Sequence, residues 1–369
     1  MGADDKFIPW VRPVVEFDGE LRADIRAAFE YGRLTNQGPV LLRLEKEAAR
    51  FLGVEDAVAL STGTAALHLG LQALGLQAMD LAGAEAVLPA FTYPATLNAV
   101  IHAGMRPVFC DIDPDTWTMC PRALEKVLNE RRDAEVVIPV NVFGVPPDIG
   151  DAAREKTVVV DNAHGFGSRG LDVPVHACAY SLHATKILPA VEGGLLTSGD
   201  AGLLAEVRRL RNHGLAEDPL DSRPGFNEKM SELHAAVGLC SLRALKGALA
   251  RRKEYAERLR VFIQNLCGEA FTVQKIPAGV ESNHQNLGVL CKTGAAECQK
   301  GLEARGVGSR RYFYPPLHRL RFVDNPPNLP VTDRVADSIL CLPLYSRMDG
   351  ETLDRIEHAL LETSRSLPG

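Results

Sequence analysis

The sequence predicts an α/β fold: a mostly parallel, seven-stranded sheet between layers of helices, followed by a smaller C-terminal α/β unit. Three observations predict it. Short apolar runs alternate with helix-forming segments from about Ala57 to Leu210, the pattern of a sheet covered on both faces. The run Thr157-Val158-Val159-Val160 is uncharged and valine-rich, as in a strand buried on both sides. The small-residue turn Ser61-Thr62-Gly63-Thr64 joins an apolar run, 57–60, to a segment of strong helix propensity, Ala65 to Leu74.

Strands are expected at 57–60, 85–88, 107–110, 136–140, 157–161, 178–182 and 194–198, with helices in most of the gaps. The run 231–264 is rich in Ala, Leu, Arg and Glu and reads as one long helix. It joins a large unit, 1–245, to a small one, 246–369. In the small unit a strand is expected at 286–291 and helices at 295–305 and 350–362. The first 15 residues lack periodicity and are expected to pack on the small unit.

A chain of 369 residues can bury a large core, and its 46% hydrophobic and 24% charged content is that of an ordinary globular protein. A net charge of −6 gives no field for nucleic acid or an anionic membrane, so any phosphate must be held by local groups. No apolar run approaches the roughly 20 residues that span a bilayer, and Asp4 and Asp5 interrupt any signal-peptide pattern. The eight cysteines form no CxxC pair. They read as free thiols of a cytoplasmic protein rather than as disulfides or metal ligands.

The chemistry concentrates at the ends of successive strands. Lys186 closes Ser181-Leu182-His183-Ala184-Thr185-Lys186, between apolar residues that should lower its pKa. A neutral amine can attack a carbonyl and form a Schiff base. Asp161 ends the valine strand, where open α/β sheets place ligand groups, and could keep a pyridine nitrogen protonated. His164 follows three residues later, within reach of the same ring. The turn at Gly63 and Thr64 leads into a helix and makes an anion site. Pro89-Ala90-Phe91-Thr92-Tyr93-Pro94 offers two aromatics to cover a flat ring. Together these are the needs of pyridoxal phosphate. Singly, each has a plainer reading: a snorkelling lysine, a helix-capping aspartate, a capped turn, a packed tyrosine. Their joint occurrence, in this order, is what points to one site. Arg208, Arg209 and Arg211 at a helix end, and Arg251-Arg252-Lys253, are expected to lie on solvated helix faces.

These residues resemble the DegT/StrS-type aminotransferases, fold-type I pyridoxal-phosphate enzymes. The similar segments run nearly the whole length. They are Gly32 to Pro39, Ser61 to Leu67, Leu88 to Asn98, Pro107 to Asp113, Asp161 to Gly165, Ser181 to Gly194, Arg211 to Gly214, Asn227 to Leu233, Tyr314 to His318 and Leu342 to Tyr345. The resemblance implies that Lys186 holds the cofactor and shuttles protons. It implies that Asp161 pairs with the pyridine nitrogen, His164 touches the phenolic oxygen and Tyr93 stacks on the ring. Gly63, Thr64 and Ser181 would bind the phosphate. Asn227 would reach the phosphate of a neighbouring subunit, making the site a property of a homodimer. His183, Glu192, Tyr314 and His318 are implied on the substrate side, the last two in a loop after the basic pair Arg310-Arg311.

The implied reaction moves an amino group from L-glutamate to a keto sugar on a nucleotide. The Thr-Asn-x-Gly-Pro start and the His-Ala-Thr-Lys form resemble members acting at carbon 4 of a dTDP-4-keto-6-deoxy sugar. Alternatives are a cyclitol or other non-nucleotide keto substrate, or a non-catalytic relative that binds cofactor or sugar. Dehydratases of the family carry histidine in place of lysine, against which Lys186 stands. The family usually has Gly before Glu-Gly-Gly, where this chain has Val191; Leu182 and Pro189 also depart from its pattern.

Overall fold

The computed structural model describes residues 7–78, 83–170 and 175–367; residues 1–6 of the N-terminal segment lie outside them. The large sheet contains β1 (Ala57–Leu60), β2 (Glu85–Pro89), β3 (Arg106–Cys110), β4 (Ala134–Val137), β5 (Thr157–Asp161), β6 (Ala177–Ser181) and β7 (Gly194–Thr197). Their spatial order is β1-β7-β6-β5-β4-β2-β3. Strands β3, β2, β4, β5 and β6 pair in parallel, and β7 runs antiparallel between β6 and β1. Every expected strand is present. The largest departure is at β4, whose ladder stops at Val137 and resumes as an isolated pairing of Val140 with Asp161.

The valine run of β5 divides by period two. Val159 joins one core, with Leu67 and Leu71, while Val158 and Val160 join the other, with Leu124 and Leu128. Helices cover both faces. Helices α1 (Gly19–Tyr31) and α2 (Pro39–Leu52) precede β1, and α3 (Gly63–Ala78), α4 (Pro94–His102) and α5 (Pro121–Glu130) link the next strands. Helix α6 (Ala201–Leu210) follows β7 and packs beside α3.

The expected long helix is α7 (Glu232–Leu266). Its first half, to Leu245, packs in the core of the large sheet, and Ala256, Leu259 and Ile263 pack in that of a second sheet. That sheet is antiparallel, in the order β10-β9-β8, from β8 (Phe271–Val273), β9 (Leu287–Cys291) and β10 (Ile339–Leu342). Helices α8 (Ala295–Glu303), α9 (Pro330–Ser338) and α10 (Gly350–Ser366) complete this unit. Ile8 is held there by backbone bonds, its N–H donating to Gly306 at 2.8 Å and its carbonyl accepting from Gly308 at 2.8 Å.

Two arginines expected at the surface are inside. Arg211 is 1% exposed, and its guanidinium donates to Glu45 Oε1 at 2.7 Å and to the Ala59 carbonyl. Glu45 is also buried and accepts from the Ala59 amide at 2.8 Å. The pair thus ties α2 and the end of α6 to β1. Arg252, in α7, is buried too and donates to the carbonyls of His284 (3.0 Å) and Gln285 (2.5 Å). Nothing local marks either residue, because the partners come from distant segments.

Replacing Arg211 by Met leaves buried Glu45 with only the looser ion pair to Arg208, at 3.9 Å, and the Ala59 amide, which should cost somewhat less than the roughly 3–5 kcal/mol of a fully unpaired buried charge in denaturant unfolding. Replacing both residues by apolar ones should recover most of the loss. A single variant as stable as the parent would show that the pair is not under strain from burial.

Candidate active site

Three strand ends meet at one edge of the large sheet. Gly194 pairs with both Leu60 of β1 and Ser181 of β6, so the turn after β1 lies directly beside the end of β6. A Cβ on Gly194 would stand 2.1 Å from the Thr62 carbonyl oxygen, and one on Gly63 would stand 2.8 Å from Ser181 Cβ. Only glycine allows this approach. The start of α3 and the Ser181 hydroxyl therefore share one wall of a cavity of about 250 Å³.

The cavity is also lined by Thr62, Thr64, Tyr93, Asp161, His164, His183, Lys186 and Glu192. Asp161 sits at the end of β5 and is 7% exposed. Its Oδ2 accepts from Thr96 Oγ1 at 2.7 Å, and its Oδ1 accepts from the Ala163 amide at 3.1 Å. Burial raises the carboxyl pKa, while these donors and the charge of Lys186 oppose the rise. Lys186 faces the same cavity. Its pKa is pushed down to about 8 by burial, partly offset by Asp161.

His164 is buried against Phe143 and Phe313, with ring centroids 5.9 and 5.6 Å away, in a cluster whose phenyl rings also touch each other at 5.7 Å. Its Nδ1 accepts from the Phe143 amide at 3.4 Å, and burial holds its pKa well below the usual value. A neutral ring accepting at Nδ1 carries its proton at Nε2. Tyr93 precedes α4, is half-exposed and meets Tyr312 edge-on at 6.0 Å. Phe91, the other aromatic of that loop, is fully buried against Phe313 and faces the core instead.

The lysine segment is held on both sides. Gln285, from the turn before β9, accepts from the Ile187 amide at 2.9 Å and donates to the Thr185 carbonyl at 3.0 Å. Arg252 holds the Gln285 backbone in turn. On the other side the Ala184 amide donates to the Val191 carbonyl at 2.8 Å. Val191 has φ +66°, a left-handed conformation rare for a β-branched residue. The loop thus keeps a glycine-like backbone with valine in it. His183 Nδ1 lies 2.8 Å from Thr185 Oγ1, and its Nε2 lies 3.6 Å from Glu192 Oε1.

Three of the named residues are not part of the cavity wall. Asn227 is exposed and bridges to Asn212 through the backbone. Tyr314 is half-exposed under the guanidinium of Arg311, 3.4 Å from its centroid. His318 is buried, with Nε2 3.1 Å from Asp333 Oδ1. The wall includes Trp10, Arg310, Tyr312 and Phe313, which were not expected there. A basic-aromatic run, Arg310 to Tyr314, was the available signal for three of them; nothing local marks Trp10, Thr96 or Gln285. Among the described residues no group of three or more His, Cys, Asp or Glu could hold a metal ion, and no helix is long and apolar enough to cross a membrane.

Comparison with known proteins places the chain in one family and fold. The model of the DegT/DnrJ/EryC1/StrS aminotransferase family matches residues 16–361. The chain is 29% identical to the dTDP-4-amino-4,6-dideoxy-D-glucose transaminase of Escherichia coli, over 97% of this chain and 99% of that protein. Among solved structures, DesI in the presence of its TDP-sugar product superposes with a TM-score of 0.89 at 30% identity, covering 98% of this chain and 94% of DesI. DesV of S. venezuelae, in complex with a ketimine intermediate, superposes with a TM-score of 0.87 at 26% identity, covering 97% and 100%.

The amine of Lys186 should react with a small aldehyde faster as pH rises, levelling off above about 8, because only the neutral form attacks and burial lowers the pKa of the cation. Borohydride trapping followed by peptide mapping measures it; a rate still climbing at pH 10 would place the pKa at its ordinary value.

Val191→Gly should relieve about 1–3 kcal/mol of backbone strain and lose about 0.4–1 kcal/mol to chain entropy. The net gain, about 1 kcal/mol, should appear as a higher melting temperature. A lower one would mean that the half-exposed valine is buried in the assembled protein.

Proposed function

The chain belongs to the DegT/DnrJ/EryC1/StrS aminotransferase family, and on that premise we propose that it transfers an amino group from L-glutamate to a keto sugar carried on a nucleotide, with pyridoxal phosphate as cofactor. The observation that carries this reading is the convergence of Lys186, Asp161, the start of α3 and Ser181 on one cavity. The donor set suits the cofactor: an amine for its aldehyde, a carboxylate for its ring nitrogen, amides and hydroxyls for its phosphate. When bound, it supplies an electron sink for breaking a C–H bond beside nitrogen.

The protein's own residues then divide the work. Asp161 holds the ring nitrogen protonated, supported by Thr96 through a 2.7 Å bond. Gly63, Thr64 and Ser181 hold the phosphate. Neutral His164 would offer its Nε2–H to the phenolic oxygen, and Tyr93 would cover the ring. Lys186, with a pKa of about 8, takes a proton from the donor carbon and returns one to the acceptor carbon. His183 and Glu192 line the substrate side. Tyr314 and His318 act there only if their loop changes position or a second subunit extends the wall.

The similarity to the E. coli transaminase and to DesI supports a dTDP-4-keto-6-deoxy hexose aminated at carbon 4. We place the enzyme in the cytoplasm on account of its eight free cysteines, which cell fractionation would check.

With cofactor loaded, L-glutamate should bleach the cofactor absorbance and release 2-oxoglutarate. Adding dTDP-4-keto-6-deoxyglucose should restore the absorbance and yield the amino sugar by mass spectrometry. Lys186→Ala should lose turnover by at least about 10²–10⁴-fold. Restoration by a keto cyclitol alone would replace the sugar reading, and no bleaching by any amino acid would end the transaminase reading.

Asn227 is exposed and outside the cavity wall, which supports its serving a second subunit's phosphate in an isologous homodimer. Mixing Lys186→Ala with Asn227→Ala under subunit exchange should give activity above either parent, since one site of each mixed dimer then has neither lesion. If no rescue follows although mixed dimers form, Asn227 serves its own subunit.

A further inference from the structure

Arg310 opens a loop that the sequence leaves open as either structural or a contact for substrate phosphates, and its side chain lines the cavity that contains Lys186 and Asp161. Its backbone is fixed to β10, the Arg310 amide donating to the Cys341 carbonyl at 3.1 Å and the Cys341 amide to the Arg310 carbonyl at 2.8 Å. Its guanidinium carbon lies 5.2 Å from the Trp10 ring centroid and 5.4 Å from that of Tyr312. Both rings also line the cavity and meet each other edge-on at 5.8 Å.

No carboxylate among the described residues forms an ion pair with Arg310. Nearby arginines differ: Arg311 lies 3.9 Å from Asp337, and Arg319 lies 2.6 Å from Asp333. The two rings of the Arg310 site lie to one side of its guanidinium, and such cation–π contacts leave in-plane N–H donors free on the other side. Those donors match the two oxygens of a carboxylate or phosphate. The protein as a whole carries a charge of −6, so a local cation must draw an anionic substrate to this wall.

We propose that Arg310, held by Trp10 and Tyr312, is the oxyanion-binding residue of the substrate cavity. Its ligand is an oxyanion of one of the two substrates: the carboxylate of the amino donor or a phosphate of the nucleotide carrier. The identity of those two substrates rests on the function proposed above; the anion site itself rests on an unpaired guanidinium placed on the cavity wall beside two rings.

The test is calorimetric binding to the cofactor-loaded enzyme, with glutarate and thymidine diphosphate as unreactive probes. Parent enzyme should bind both. Arg310→Gln should weaken one of them by about 10- to 100-fold, the loss expected for charge-assisted hydrogen bonds. Arg310→Lys, which keeps the charge without the fork, should fall between. Loss confined to glutarate assigns the donor carboxylate, and loss confined to thymidine diphosphate assigns the carrier phosphate. Unchanged binding of both probes to either folded variant, shown by parent-like cofactor absorbance and melting temperature, would overturn the proposal. If the parent enzyme itself bound neither probe, the substrate reading would fail first, so the two failures are distinguishable.

Discussion

A lysine and an aspartate share one low-dielectric cavity, and the rest of the site is organised around that pair. Burial alone would drive both to their neutral forms. The charge of each opposes the shift that burial causes in the other. The outcome is a lysine near pKa 8, with a usable neutral fraction close to physiological pH. Hydrogen bonds from Thr96 and Ala163 oppose the rise that burial causes in the aspartate. His164, packed against two phenyl rings, adds a hydrogen-bond donor without adding charge.

Position matters as much as charge. The backbone on either side of Lys186 is pinned by the amide group of Gln285, whose own backbone is pinned by buried Arg252. Burial pushes Arg252 down to about 10, which still leaves it charged at neutral pH. Its bonded partners are carbonyl dipoles and not carboxylates. Arg252 lies in α7, the helix that packs into the cores of both sheets. The lysine segment is therefore linked mechanically to the small sheet. Val191, in a conformation better suited to glycine, closes the loop from the opposite side.

The parts of the protein legible in the sequence were those that depend on neighbours in the chain. The valine run, the small-residue turn and the placement of Lys186 and Asp161 at strand ends follow from patterning over four to eight residues. The departure at Val191 was visible as well, because a glycine position in a family pattern points to a backbone requirement. Arg211 and Arg252 were misplaced on the surface because charge and helix position look the same whether a partner exists or not. Their partners, Glu45 and the 284–285 carbonyls, lie 166 and some 30 residues away.

By itself, then, the sequence determined the order of strands and helices and the chemical types gathered at the strand ends, since periodicity and turn chemistry are local properties of the chain. Only the tertiary structure decided which side chains share the cavity. It brought Trp10 from the N-terminal segment and Arg310 and Tyr312 from the loop after α8 onto the wall of the cavity that contains Lys186, and it set Asn227, Tyr314 and His318 outside that wall. The reason is physical: these placements are fixed by packing between segments far apart in sequence, where the energy of a contact depends on surroundings that no local pattern encodes.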